Sequence, residues 1–363
     1  MAIAGPTLLA WPDGDSSDVP AQRCRDWLSR QPHQVLQVVD SHTAGNPTRI
    51  IVGGLEVPES VQTLDETRDW LRTRADWARR RLTHEPRGGA LTCAVLPLPA
   101  VDGSHDLRTV FLEPGSYPPM CGHCTIGLAA VTHELGLASG SPGATGGTSY
   151  RILTPAGLTV ATVHDGLPTV VELENVDSYV VDSWPVTIGG RELTCTLLYG
   201  GDYYPTLDAG ELGLSLDPAH AGEIVRLARE LSAQVRELHV VDPITGAKAD
   251  IYQVMFHAGS DHSPHAATTA VVAPPGVIDR SPCGTGSSAL MALKIARAEI
   301  GPDEELITRS IIGSEFRVRA TGVRVVEGRQ LITPVVSGSA HITGFATVAG
   351  DPSDSLADGF PPL

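Results

Sequence analysis

Lysine is nearly absent: Lys248 and Lys294 are the only two in 363 residues. A pyridoxal phosphate enzyme holds its cofactor as a lysine Schiff base. Lys248 falls in a Thr-Gly-Ala-Lys-Ala loop, and Lys294 lies on an expected helix, eleven residues past Cys283. Neither is placed as a cofactor lysine. Positive charge is scarce overall, with 26 Lys and Arg against 42 Asp and Glu and a formal net charge of −16. That balance excludes sequence-independent nucleic-acid binding, which rests on neutralising phosphate. No apolar run approaches the roughly 20 residues that span a bilayer. The opening Met1-Ala-Ile-Ala-Gly-Pro-Thr-Leu-Leu-Ala-Trp11 lacks the basic start of a secretory signal. Six cysteines in a chain this long are too sparse for a disulfide framework. Free thiols in a reducing cytoplasm are expected.

What remains reads as globular. Hydrophobic residues make up 42% of the chain and mean hydropathy is +0.01. The length exceeds one comfortable core, so two domains are expected. Residues 1–33 form a tail or small appendage, with an acidic, turn-rich stretch at Trp11–Pro20. Strands are expected at Val35–Val39, Ile50–Val52, Ala94–Leu98, Val110–Leu112, Tyr150–Thr154, Leu158–Val163, Thr169–Leu173, Thr194–Leu198, Ile251–Phe256 and Thr268–Val272, with more near 315–348. Helical spacing of Leu64, Trp70, Leu71, Trp77 and Leu82 predicts a helix over 59–82. Two further segments, Gly122–Leu135 and Gly284–Ile300, are apolar with small residues and stop at Gly136 and Gly301. Each has the length of a buried helix and a glycine at its C-cap.

A cysteine opens each of those two segments. Cys121 starts Cys-Gly-His-Cys-Thr-Ile-Gly, and Cys283 starts Cys-Gly-Thr-Gly-Ser-Ser. A thiol at a helix N-terminus is biased toward thiolate, because unpaired N–H groups and the helix dipole favour negative charge there. Two such thiols in similar halves predict one site in which an acid and a base face each other. Removing a proton from one face of a carbon and returning it to the other requires that pair. Cysteines near apolar helices are commonly core residues, so the pairing carries this reading rather than either thiol alone. Cys121-Gly-His-Cys124 is also a Cys-x-x-Cys, but the tryptophan and short βαβ setting of a dithiol oxidoreductase are missing. A zinc site from Cys121, His123 and Cys124 lacks a second ligand pair at suitable spacing.

Six stretches carry a family resemblance: Asp40-Ser-His-Thr-Ala-Gly-Asn-Pro-Thr-Arg49, Glu85-Pro-Arg-Gly88, Met120-Cys-Gly-His123, Tyr199-Gly-Gly201, Asp279-Arg-Ser-Pro-Cys-Gly-Thr-Gly286 and Ser337-Gly-Ser-Ala-His-Ile-Thr-Gly344. A closing Asp351-Pro…Gly359-Phe360 fits as well. From about residue 35 onward the chain resembles the proline racemase family, which includes 4-hydroxyproline 2-epimerases and trans-3-hydroxyproline dehydratases. The resemblance implies an α/β (α+β), diaminopimelate-epimerase-like fold of two pseudo-symmetric halves, each a curled sheet around a central helix. The halves would be 34–175 plus 336–363, and 176–335. It implies an isomerase independent of any cofactor or metal, acting on a small amino acid in the cytoplasm, with a homodimer left open. Cys121 and Cys283 would be the acid/base thiols. Backbone N–H groups of Gly122, His123, Gly284 and Thr285 would hold the substrate carboxylate. His123 would also support its neighbouring thiol, and Asp279 would take the substrate nitrogen.

The second thiol selects among these activities, since the dehydratases carry threonine at the position of Cys283. Racemisation or epimerisation of proline, 4-hydroxyproline or a related amino acid is therefore expected over dehydration. Substrate identity is less determined. Where the family continues Glu-Pro-Arg-Gly with His and then an Asp-Met-aromatic stretch, this chain has Gly89-Ala-Leu-Thr-Cys93. Ala273 stands where the family often has Phe. Both changes predict a roomier pocket and a substrate larger than proline, or shaped differently. Cys124 departs too, as packing or as a redox partner for Cys121. His42 reads as a structural hydrogen-bonder, and His341 has no assigned chemistry. His257, Asp261, His262 and His265 read as a solvated loop rather than metal ligands. The alternative in a different class is a silent homologue that binds an amino acid on the same fold.

Overall fold

The computed structural model describes residue 23, residues 26–30, 35–166, 168–260 and 263–362. Most of the N-terminal appendage, Asp261 and His262 lie outside the described residues. The chain is an α+β protein whose strands join into one continuous, curled sheet. Its two most buried helices are Gly122–Leu135 and Gly284–Ala296, termed here the first and second central helices. Every residue from Gly122 to Thr132 and from Gly284 to Ile295 is buried. A helix apolar on all sides can be stable only with packing on all sides. Strands supply that packing. Val35–Thr43, Gly157–His164 and Val170–Glu174 touch the first helix; Ser178–Ile188, Arg191–Tyr199 and Glu315–Val326 touch the second.

One long strand ties these groups together. Arg329–Ala349 pairs with Val35–Thr43, Glu315–Val326, Val170–Glu174 and Ser178–Ile188 along successive parts of its length, and it touches both central helices. The hairpin joining Val35–Thr43 to Asn46–Gly53 turns at Ala44 and Gly45, both with positive φ. Two left-handed residues give the twist a tight hairpin needs. Two of the motifs shared with the family brace this region. Arg49 bonds both carboxylate oxygens of Asp40 and the carbonyls of Leu82 and Arg87. Arg87 in turn donates to the carbonyls of Leu356 and Ala357, holding the C-terminal segment in place.

The expected helix over 59–82 starts later, at Leu64, because Thr63 caps it in a reciprocal box with Glu66. It passes through a π turn at Leu71–Ala75 and ends at Thr83. The second central helix stops at Ala296 rather than Ile300, since Ala298 already adopts a left-handed φ of 55°. His257 itself is not in a solvated loop: it lies in an antiparallel pair, Val254–Ser260 with Ser263–Ala273, buried and opposite Thr269, whereas His265 near the connection stays half-exposed as expected. Strands Ser178–Ile188 and Tyr203–Asp208 and the helix Ala221–Val235 add to the expected set. That helix buries Ile224, Leu227, Ala228, Leu231 and Val235 against its strands, spacing that marks one apolar face. Among the described residues, no helix is long and apolar enough to cross a membrane.

Candidate active site

Both central helices begin at a cysteine, and their N-termini abut. Cys121 and Cys283 are the N-cap residues. A Cβ placed on Gly122 would lie 2.8 Å from the Cα of Gly284, so only glycine allows the approach. The two thiols line one cleft of about 560 Å³, open mouth included, together with Asn46, His123, Tyr204 and Asp279. The first intrahelical bonds run from the Thr125 N–H to the Cys121 carbonyl and from the Ser287 N–H to the Cys283 carbonyl. The N–H groups of Gly122, His123, Gly284 and Thr285 precede those bonds and sit in the first turns, where helices leave donors for an anion. The sequence-predicted residues are thus gathered in one place.

The thiols differ in their surroundings. Cys121 lies 3.4 Å from His123 Nδ1. Burial raises its pKa, but hydrogen bonds from Cys124 and Cys93 and the charge on His123 more than reverse this, leaving it well below the ordinary thiol value. The imidazole responds in kind. Burial disfavours its cation, yet the sulfurs of Cys121 and Cys124 hold its pKa well above normal. Cys283 goes the other way: burial and then the nearby Asp279 push it up to about 12, despite bonds from Tyr204, Thr285 and the Gly286 N–H. These surroundings favour the thiolate at Cys121 and the thiol at Cys283. Cys283 also has φ 64°, a left-handed backbone that non-glycine residues seldom adopt. Strain of this kind persists where surrounding structure enforces it, commonly at functional sites. Here the Ser281 hydroxyl accepts from the Cys283 N–H at 3.1 Å, and the Gly286 N–H donates to Sγ at 3.4 Å.

Asp279 stands at the cleft with Oδ1 accepting from the Ser281 N–H and hydroxyl at 2.8 and 3.0 Å. Burial raises its pKa, and His123 partly offsets the rise. Further residues complete the site without having been singled out in the sequence. Asn46 lies 3.1 Å from His123 Nε2 and accepts from the Arg280 N–H at 3.2 Å, tying the two helix-bearing parts together. The Tyr204 hydroxyl sits 3.4 Å from Cys283 Sγ and 2.5 Å from Thr285 Oγ1. Glu113 lines the cleft with its pKa raised to about 8 by burial, Cys121 and Asp202. Cys93 lies beside Cys121, His123 and Cys124, their ligand atoms all within 4.8 Å of one another. The departure from the family at Gly89–Cys93 was the available signal for that residue. Asn46 lay inside a quoted motif, whereas Tyr204 and Glu113 left no comparable mark.

Other candidates separate from the cleft. His42 accepts from the Gly45 N–H at 3.3 Å and meets His341 at a tilt, with ring centroids 5.3 Å apart. Lys294 is buried and paired with Glu299 at 2.9 Å. Ala90, Leu91, Ala273 and Pro274 form part of the cleft wall.

The family model described as "Proline racemase" matches residues 38–361. A 4-hydroxyproline 2-epimerase of Streptosporangium roseum is 36% identical over 336 residues, covering 90% of this chain and 98% of that protein. A proline racemase of Clostridioides difficile is 31% identical, covering 90% and 97%. Among solved structures, a hydroxyproline epimerase from Agrobacterium vitis with bound trans-4-OH-L-proline superposes with a TM-score of 0.79 at 30% identity, covering 91% and 96%. A PhzF-family protein of Bacillus anthracis, at 16% identity and a TM-score of 0.55, shares the fold alone.

Proposed function

The chain belongs to the proline racemase family, and from that premise we propose that it inverts the α-carbon of proline, 4-hydroxyproline or a related amino acid. One observation carries this: two thiols at abutting helix N-termini line a single cleft, one favoured as thiolate and the other as thiol. An amino-acid α-proton is far less acidic than a thiol, so the developing carbanion needs positioned donors in a sheltered cleft. The substrate carboxylate is held by the N–H groups of Gly122, His123, Gly284 and Thr285, between two positive helix ends. Asp279 takes the ammonium or imino nitrogen. One thiolate removes the α-proton from one face while the opposite thiol delivers its own proton to the other. The roles exchange when the opposite enantiomer binds.

The two helix-bearing halves are taken as 34–175 with 336–363, and 176–335, so that each thiol is supplied by a different half. We place the protein in a reducing cytoplasm on the sparseness of its six cysteines. A second substrate reading is favoured by the cleft wall. Ala90 and Ala273 line it and contribute little bulk, which supports a substrate larger than proline or shaped differently. Chiral chromatography of reactions with L-proline, trans-4-hydroxy-L-proline and bulkier L-amino acids tests both. Inversion of at least one, lost in Cys121→Ala and in Cys283→Ala, supports the activity. Proline as the best substrate would sink the larger-substrate reading, and no inversion of any would sink the racemase itself.

A further inference from the structure

We propose that Cys93, Cys121, His123 and Cys124 form a binding site for one zinc-class divalent cation, and that filling it switches the enzyme off. The four ligand atoms lie within 4.8 Å of one another, and all four residues are buried. Zinc bonds of roughly 2.3 Å to sulfur and 2.0 Å to nitrogen, at tetrahedral angles, set neighbouring ligands about 3.5–3.8 Å apart. His123 Nε2 is already 3.4 Å from Cys124 Sγ and 3.9 Å from Cys121 Sγ. Side-chain adjustments of up to about 1 Å bring such a set to an ion.

The scaffold is rigid where it needs to be. Cys121, His123 and Cys124 occupy the N-cap and first turn of the first central helix, and Cys93 opens the strand Cys93–Pro99. An outer contact that orients a metal ligand is present as well. Thr48 Oγ1 donates to Cys124 Sγ at 3.8 Å, whereas Asn46, 3.1 Å from His123 Nε2, gives up that nitrogen when it binds the ion. Cys93, Cys121 and His123 line the open cleft, which provides an entry path. Three sulfurs and one imidazole select zinc or cadmium over magnesium or calcium, which prefer oxygen. The set is complete without a water, the pattern of a closed rather than a catalytic zinc site. On binding, the protons of the thiols and of the His123 ring nitrogen that ligates leave to solvent, and the Cys121 lone pair is committed to the ion. Inhibition therefore rests on the proposed role of Cys121, whereas binding does not.

The test uses reduced, metal-free, full-length protein titrated with Co²⁺ and then Zn²⁺. One Co²⁺ per chain is expected, with tetrahedral d–d bands and thiolate charge-transfer absorption that Zn²⁺ abolishes. X-ray absorption on the zinc-loaded wild type should give three sulfurs near the ordinary zinc–thiolate distance and one nitrogen. Cys93→Ser and Cys124→Ser should each weaken zinc binding by about a hundredfold or more. Amino-acid inversion should fall in step with occupancy and return with a chelator. Oxygen-dominated coordination, or affinity unchanged in both variants, would overturn the site. Full occupancy with undiminished inversion would overturn the switch. A metal-free protein that inverts no amino acid counts against the activity alone, because the absorption data still decide the site.

Discussion

Gly122→Ala should separate the two helix ends and slow inversion while leaving the protein folded. The added Cβ would meet Gly284 Cα at 2.8 Å, Gly284 C at 3.1 Å and Thr285 N at 3.1 Å. All three are backbone atoms, so no rotamer change relieves the clash. Restoring ordinary contact at 3.4 Å requires the ends to part by 3.4 − 2.8 = 0.6 Å. Overpacking of this kind costs about 1–3 kcal/mol. Its catalytic effect is larger, since misplacing reacting groups by about 1 Å can cost a hundredfold. A shift of 0.6 Å between the first turns should lower kcat/KM by about ten- to a hundredfold. Enantiomer interconversion followed by polarimetry, beside a thermal melt, reads both effects. Gly222→Ala is the control, because a Cβ there meets nothing within 4 Å. Wild-type kcat/KM and Tm in Gly122→Ala would refute the close approach of the two helix ends.

Glu113, with its pKa near 8, should impose an inflection on the pH profile as its new charge meets Cys121, and Glu113→Gln should erase it. The outer limbs come from the thiols. Activity falls at low pH as Cys121 gains its proton and survives far into alkali because Cys283 holds its own to about 12. Tyr204→Phe removes the hydroxyl that contacts both Cys283 and Thr285, and should cost about 1–2 kcal/mol in kcat/KM, or roughly five- to thirtyfold, with the Tm readout largely preserved. Asp242 supports the fold away from the cleft, accepting from the Tyr179 and Tyr203 hydroxyls at 2.7 Å and from the Ile244 and Thr245 N–H groups. Burial opposes its charge, but these donors hold its pKa below the ordinary carboxylate value. Its contribution is present above the unfolded carboxylate pKa and lost as pH falls through the folded one. Asp242→Ala should cost about 2–4 kcal/mol near neutrality by denaturant melts, with a smaller gap in acid; a pH-independent gap would contradict this.

Much of the site was legible because its chemistry sits in short local patterns. Cys121 and Cys283 each combine a reactive residue, a following glycine and an apolar helix, and the structure places both at N-caps lining one cleft. The central helices were legible for a similar reason, since small apolar residues on every side imply full burial. What escaped depends on long-range assembly. Tyr204 reaches Cys283 across 79 positions and Asn46 reaches His123 across 77. Cys93 joins Cys124 only because its strand lies parallel to Asn46–Gly53 beside the first central helix. In the sequence, Cys121, His123 and Cys124 have no second ligand pair at suitable spacing, and only this strand pairing brings Cys93 beside them. The His257 segment misled through its polar residues, whereas strand pairing buries the one at its start.

The most direct test of two opposed thiols is deuterium wash-in during the first turnovers in D₂O, followed by NMR. With separate acid and base thiols, newly formed product carries deuterium at the α-carbon while recovered substrate retains its original hydrogen. The account predicts that pattern for both enantiomers, with inversion abolished in Cys121→Ala and in Cys283→Ala. Deuterium entering recovered substrate as fast as product, or inversion surviving the loss of either thiol, would contradict it.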